Sequence, residues 1–145
     1  MKMKKMNGML AMAYIAAMTG CNNGKQVTAE ELTGRWNIVE VSGESVKADK
    51  AFFEFVKEDN MLRLHGNAGC NLINTETELD VKQPAALSFS APRVTMMACP
   101  DLETESKILN AFENVTQVKS GKTETQLHLA DKNGKSMLTL EKAAL

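Results

Sequence analysis

The sequence predicts an α+β fold in which an antiparallel, β-rich curved sheet or partial barrel carries one main helix packed on it. Three observations point there. Short runs of alternating apolar and polar residues recur along the chain, the period of two that marks half-buried strands. One stretch places Ile108, Leu109, Phe112 and Val115 on a single face at spacings of three and four. The chain then closes on a hairpin: Leu127 and Leu129, the turn Asp131-Lys132-Asn133-Gly134, and Leu138 and Leu140.

Taken in order, residues 1–20 form a segment to be set aside before the fold is read. Lys2, Lys4 and Lys5 give a positive start with no acidic residue before Cys21, and residues 9–18 are an unbroken apolar run of ten. A bilayer span takes about 20 apolar residues, so this is the length of a signal peptide. Thr19 and Gly20 then lead into Cys21. This ending resembles the lipobox of bacterial lipoproteins, whose cysteine is acylated and becomes the first mature residue; Met18 stands where that pattern usually has Leu. The resemblance implies a membrane partner reached through acyl chains on Cys21, which together hold far more firmly than one chain. Asn22 after the cysteine implies the outer membrane. The lack of an acidic cluster behind it favours the periplasmic face. Residues 21–31, with the polar run 22–26 and the acidic pair Glu30-Glu31, read as a solvated tether.

Residues 32–143 read as the one folded domain. A first strand covers 32–41, with Trp36, Ile38, Val39 and Val41, and breaks at Ser42-Gly43. A second covers 52–56 and turns at Asp59-Asn60; a third carries Leu62 and Leu64 in alternation with Arg63 and His65. Residues 87–90 and 94–98 are two further short strands, parted by Pro92. Pro100-Asp101 opens the helix, where Asp101 can cap free amides and Glu103 and Glu105 suit the positive end of the helix dipole.

Charge and composition exclude some partners. Three of the 17 basic residues precede Cys21, so a mature chain keeps 14 against 18 acids, a formal charge of −4. That is no nucleic-acid footprint. Six of the ten methionines lie in the first 20 residues, so the domain is not rich in methionine.

Three strings identify a relationship: Gly34-Arg35-Trp36, Gly66-Asn67-Ala68-Gly69-Cys70-Asn71, and Arg93-Val94-Thr95-Met96-Met97-Ala98-Cys99. In this order, with a helix and a hairpin behind them, they resemble the META domain family, the HslJ-like proteins of bacterial envelopes. The resemblance implies a stress-associated envelope domain of β-rich α+β fold with no established enzymatic activity and no cofactor. It singles out Gly34, Trp36, Gly66, Gly69, Cys70, Asn71, Met97 and Cys99 as motif positions.

Read as chemistry, the string 66–71 carries the residue types of a tight turn, expected directly after the strand of Leu64. Cys70 and Cys99 are an even pair if Cys21 is lipidated, and an oxidising compartment makes a disulfide the expectation. Its loop of about 30 residues contributes about 3–4 kcal/mol in the chain-entropy view. A metal site from His65, Cys70, Cys99 and His128 has no supporting ligand spacing. A cysteine–histidine nucleophile pair lacks an orienting third group. Trp36 also invites comparison with lipocalins, but those complete eight strands before their helix, and Trp36 is expected as a core plug at a barrel end. A non-catalytic, lipid-anchored envelope protein leads; a binding module for a small apolar ligand or a peptidase partner follows; an enzyme comes last, since no catalytic set is visible.

Overall fold

The computed structural model describes residues 26–46, 50–80, 85–100 and 102–144. Within them the first element is a short helix, α1 (Ala29–Leu32). Thr28 and Glu31 cap it reciprocally: the Thr28 hydroxyl accepts from the Glu31 amide at 3.2 Å, and the Thr28 amide donates back to Glu31 Oε2 at 3.0 Å. The expected tether through residue 31 and the expected strand start at Leu32 are corrected accordingly. Val27 and Leu32 are already buried, so packing begins seven residues before the first strand.

The strands among the described residues are β1 (Gly34–Val41), β2 (Glu44–Ser45), β3 (Phe52–Glu58), β4 (Met61–Asn67), β5 (Leu72–Asp80), β6 (Ala86–Phe89), β7 (Arg93–Val94), β8 (Gln117–Ser120), β9 (Gln126–Ala130) and β10 (Ser136–Lys142). Helix α2 (Glu103–Glu113) sits between β7 and β8. All pairings are antiparallel, and the ring runs β1-β3-β4-β5-β6-β8-β9-β10. It returns to its start because β1 pairs β3 through residues 34–37 and β10 through residues 36–41. The expected partial barrel is therefore a closed barrel of eight strands, with β2 and β7 as short additions. Closure removes the free edges that an open sheet would expose. It rests on contacts between opposite ends of the chain, which no local pattern reveals.

The expected strands at residues 52–56, 62–64 and 87–90 and the final hairpin are present, but of that at 94–98 only Val94 is strand, in the two-residue β7. Strands β5 and β8 were not visible in the alternation. In β5 the inward positions are Ile73, Thr75, Thr77 and Leu79, so two of the four core-facing residues are polar. The hydroxyl of Thr75 is met by the Ser90 carbonyl at 2.8 Å, which makes its burial tolerable.

The interior is filled. Trp36, Phe53, Phe55, Leu64, Ile73, Leu87, Leu129, Leu138 and Leu140 are essentially inaccessible to water. Trp36, Phe53, Gly66 and Ile73 are register partners on four successive strands. Gly66 makes that ring possible: a Cβ there would lie 2.7 Å from the Phe52 carbonyl oxygen, 2.7 Å from Phe53 Cδ1 and 2.9 Å from Ile73 Cγ2. The turn expected at Gly66 is thus displaced: Gly66 is a strand residue, and the bend falls at 68–71, where Gly69 has φ +122°.

The two helices close opposite ends. Helix α1 lies at the end marked by Lys57 and Met61, where Glu30 faces Lys57 at 3.9 Å and Leu32 receives the Trp36 indole N–H at 2.8 Å. Helix α2 covers the other end, with Ile108, Ala111 and Phe112 buried. Phe112 meets Phe53 edge-on at 5.5 Å and Phe89 at 4.3 Å between ring centroids. Its N-cap is Leu102, which offers no side-chain bond; the expected cap Asp101 lies outside the described residues.

Candidate functional site

The two cysteine-bearing strings converge at the α2 end of the barrel, and one side chain joins them. Asn71 is buried, and every polar group it carries is engaged. Its backbone N–H donates to Glu105 Oε1 at 2.8 Å and its amide nitrogen to Glu105 Oε2 at 3.0 Å. Its carbonyl oxygen Oδ1 accepts from the Met97 N–H at 2.6 Å and from the Thr95 hydroxyl at 3.0 Å. Thr95 in turn accepts from the Leu72 N–H at 2.9 Å and returns its own N–H to the Leu72 carbonyl at 3.0 Å. Asn71 thus ties β5, the segment after β7 and the first turn of α2 into one node.

Local sequence explains the geometry. Asn67 Oδ1 accepts from the Gly69 N–H at 2.7 Å, and the Ala68 N–H donates to the Asn71 carbonyl at 3.1 Å, so the turn is closed from within. Cys70 and Cys99 are placed together as a disulfide pair, Cα atoms 6.4 Å apart and 29 residues apart in sequence. The covalent link and the Asn71 node therefore clamp the same two segments.

Glu105 is the residue that sequence reasoning under-read. It stands in the first turn of α2, as the helix dipole favours, but it is also only 4% exposed, with both carboxylate oxygens receiving Asn71. Its position in the first turn gave no sign that its partner would be a motif asparagine 34 residues away.

The remaining motif positions are distributed. Gly34, with φ +122°, begins β1, and Trp36 reaches α1 through its indole N–H bond to the Leu32 carbonyl. Trp36 is buried, as expected of a core plug, and borders a hollow of about 280 Å³ between Val27 and the 120–126 loop. Met97 is half exposed even though its backbone is fixed by Asn71. Cys21 and the expected signal segment 1–20 lie outside the described residues.

His65, the cysteines and His128 are not gathered. Among the described residues no three His, Cys, Asp or Glu side chains are placed to hold a metal ion. His128, on β9, has Nδ1 3.1 Å from Ser136 Oγ and 3.2 Å from Thr139 Oγ1. The Thr139 hydroxyl donates to Glu40 Oε2 at 3.1 Å, so towards the imidazole it accepts, which puts the hydrogen on Nδ1. A nucleophile–histidine–carboxylate relay uses opposite ring nitrogens, and here both hydroxyls crowd one. Burial lowers the His128 pKa below 6.5, with Lys122 and Lys119 adding to it and Glu40 opposing.

The surface beside the node is open and partly apolar. A groove of about 810 Å³ runs along the outer face of β5 and β7, past Leu72, Asn74, Arg93, Val94 and Thr95 to Arg63. Arg63 is answered by Glu58 at 3.0 Å and Glu76 at 3.8 Å. No helix among the described residues is long and apolar enough to cross a membrane.

Comparison with known proteins agrees with this arrangement in one respect. The model of the META domain family matches residues 29–144, from α1 to the end of the last strand. No curated protein and no solved structure matches the chain.

Proposed function

We propose that this chain, which belongs to the META domain family, is a non-catalytic protein of the bacterial envelope, anchored through acyl chains on Cys21 and facing the periplasm from the outer membrane. The observation that carries the reading is the use made of the family motifs. Their polar groups are turned on one another in the Asn71 node, where they hold three segments together, rather than presented to a substrate. The cysteine pair suits the same setting, since disulfides persist in oxidising compartments. The lipobox-like ending at Cys21 supplies the anchor and the motif family suggests the stress-related context.

The test is acylation. Cells expressing the full chain are grown with an alkynyl palmitate analogue, and the protein is weighed intact. The expected product begins at Cys21, carries acyl mass, incorporates the label and sediments with membranes, whereas Cys21→Ala does none of these. A product that keeps residues 1–20, or one cleaved without added mass, would end the anchoring proposal.

The second reading, a binding module, is favoured for a protein partner over a small apolar ligand. The barrel interior is occupied by its own side chains, and the hollow beside Trp36 is about 280 Å³, at the lower edge of ligand-site volumes. The exposed apolar residues lie elsewhere.

A further inference from the structure

Five large apolar side chains are exposed among the described residues, and four of them surround the Asn71 node. Met96 is 97% exposed, and Leu72, Met97 and Leu102 are 44–50% exposed. Their backbones are held: Leu72 exchanges two hydrogen bonds with Thr95, Met97 is bound to Asn71, and Leu102, at the N-cap, accepts from Ser106 of α2. Met96 is therefore displayed between two anchored neighbours. Ordering a loop is a large part of the cost of association, and here it precedes any contact. Methionine adds a flexible, polarisable side chain suited to irregular apolar surfaces.

The rim continues into the groove along β5 and β7. Arg93 pairs in register with Asn74 on its outer face, and Leu72 lies two residues along the same face. Arg63 already faces two glutamates, but Arg93 has no acid or hydrogen-bond acceptor among the described residues. The surface thus offers apolar contacts beside a guanidinium awaiting a carboxylate.

The place of the N-terminus decides which kind of occupant reaches this rim. Five residues separate Cys21 from buried Val27, a reach of at most about 20 Å. Val27 itself lies at the α1 end, beside Glu31 and Trp36. Strand β4 runs from Met61 at that end to Asn67 beside the node, about 20 Å of strand. A protein anchored at Cys21 therefore rests its α1 end near the bilayer and directs the methionine rim away from it.

We propose that the rim of Leu72, Met96, Met97 and Leu102, together with Arg93, is the docking surface for a partner protein that presents a large apolar side chain next to a carboxylate. This deepens the binding reading and rests on the anchor proposed above for its orientation. The test uses the full chain as the expressing cell processes it, labelled with [13C-methyl]methionine. It is placed in phosphatidylcholine nanodiscs, or kept in buffer if it carries no acyl group. Four methionines lie beyond residue 20, so Met61 and Met137 serve as internal controls for Met96 and Met97. The probes are hexapeptides with Phe or Leu beside Asp, and the same peptides with Lys for Asp.

The expected result is a saturable shift of Met96 and Met97 alone with the Asp peptides, at least about fivefold weaker with the Lys peptides. Arg93→Glu reverses that preference, and Leu72→Ser weakens binding to both sets. The proposal is overturned if no Asp peptide gives a saturable shift, or if Arg93→Glu changes nothing. Broadening of Met96 by spin-labelled lipid would assign the rim to the bilayer instead. Shifts that follow protein concentration without peptide would assign it to a second copy of the chain. Peptide binding is read independently of acyl mass, so docking and anchoring fail or stand separately.

Discussion

Asn71 and Glu105 show how much one buried side-chain pair can decide. Removing the Asn71 amide leaves a 4%-exposed carboxylate with only the backbone N–H of residue 71 as donor, and the Met97 N–H without its acceptor. Stranded buried groups cost about 1–3 kcal/mol each, and more when charged. Asn71→Ala should therefore lower unfolding free energy by roughly 3–5 kcal/mol in a urea titration. A loss under 1 kcal/mol would mean water replaces the amide. Histidine gives a second residue-scale outcome, in pH. Because burial lowers the His128 pKa, the unfolded chain takes up a proton before the folded one. The native state is then unpenalised above the unfolded value near 6.5 and loses stability as pH falls below it. Urea midpoints between pH 7.5 and 5.5 should fall more steeply for the natural chain than for His128→Gln. Equal slopes would remove His128 from the account. Neither role was legible beforehand, since the alternation of Leu127 and Leu129 reports only that His128 faces outwards.

At the scale of elements, the two motif glycines, Gly66 in β4 and Gly69 within the turn, do different work and should respond differently. Gly66 is confined by space: a methyl group would enter the Phe52 carbonyl and the Phe53 ring. Gly69 has its nearest neighbours at 3.9 Å and is confined by its φ of +122°. Gly66→Ala should cost about 2 kcal/mol or more through overpacking, and Phe53→Leu should recover part of that cost. Gly69→Ala should cost about 1–3 kcal/mol through backbone strain, with no recovery from Phe53→Leu. Double-mutant cycles in urea distinguish the two; recovery at both positions would refute the strain assignment. The elements that sequence patterning located are those whose inward residues are apolar, such as β3, β4 and the β9–β10 hairpin. Strand β5 was missed because Thr75 and Thr77 occupy core positions, and β8 because four residues carry too little period. The stretch 94–98 has the composition of a strand, but only Val94 pairs with one, opposite Ile73 of β5; beyond it Thr95 and Met97 bond Leu72 and the Asn71 side chain. Residue type marks the turn string but not where the bend falls, since a glycine needed for packing and one needed for φ look alike in a sequence.

For the whole molecule, closure and its weakest seam set the order in which the barrel gives way. The β4–β5 ladder aligns residues 62–67 with 72–77, and the β3–β4 ladder aligns residues 52–58 with 61–67. By contrast β6 and β8 share a single aligned pair, Ala86 with Gln117. Two backbone bonds flank it, Leu87 N–H to the Thr116 carbonyl at 2.9 Å and Val118 N–H to the Ala85 carbonyl at 3.1 Å. What keeps this seam shut is side-chain packing beside it, where Phe112 of α2 reaches Phe89 of β6. The Cys70–Cys99 link lies across the other join, that of the turn after β4 with the segment after β7, and restrains the start of α2 only indirectly. Reduction should lower unfolding free energy by about 3–4 kcal/mol through the longer reach of the unfolded chain. It should leave the folded barrel intact, because the Asn71 node still holds the same segments. Opening of the seam is a separate event, with few hydrogen bonds to break. Native-state hydrogen exchange should show the Leu87 and Val118 amides opening roughly tenfold or more faster than those of β3 and β4. Phe112→Ala should widen that gap by removing the ring that bridges α2 and β6, whereas reduction of the disulfide should leave it nearly unchanged. If the seam amides instead exchange together with β3 and β4 and only through global unfolding, the barrel opens as one unit. The narrow β6–β8 join would then be as secure as the long ladders around it.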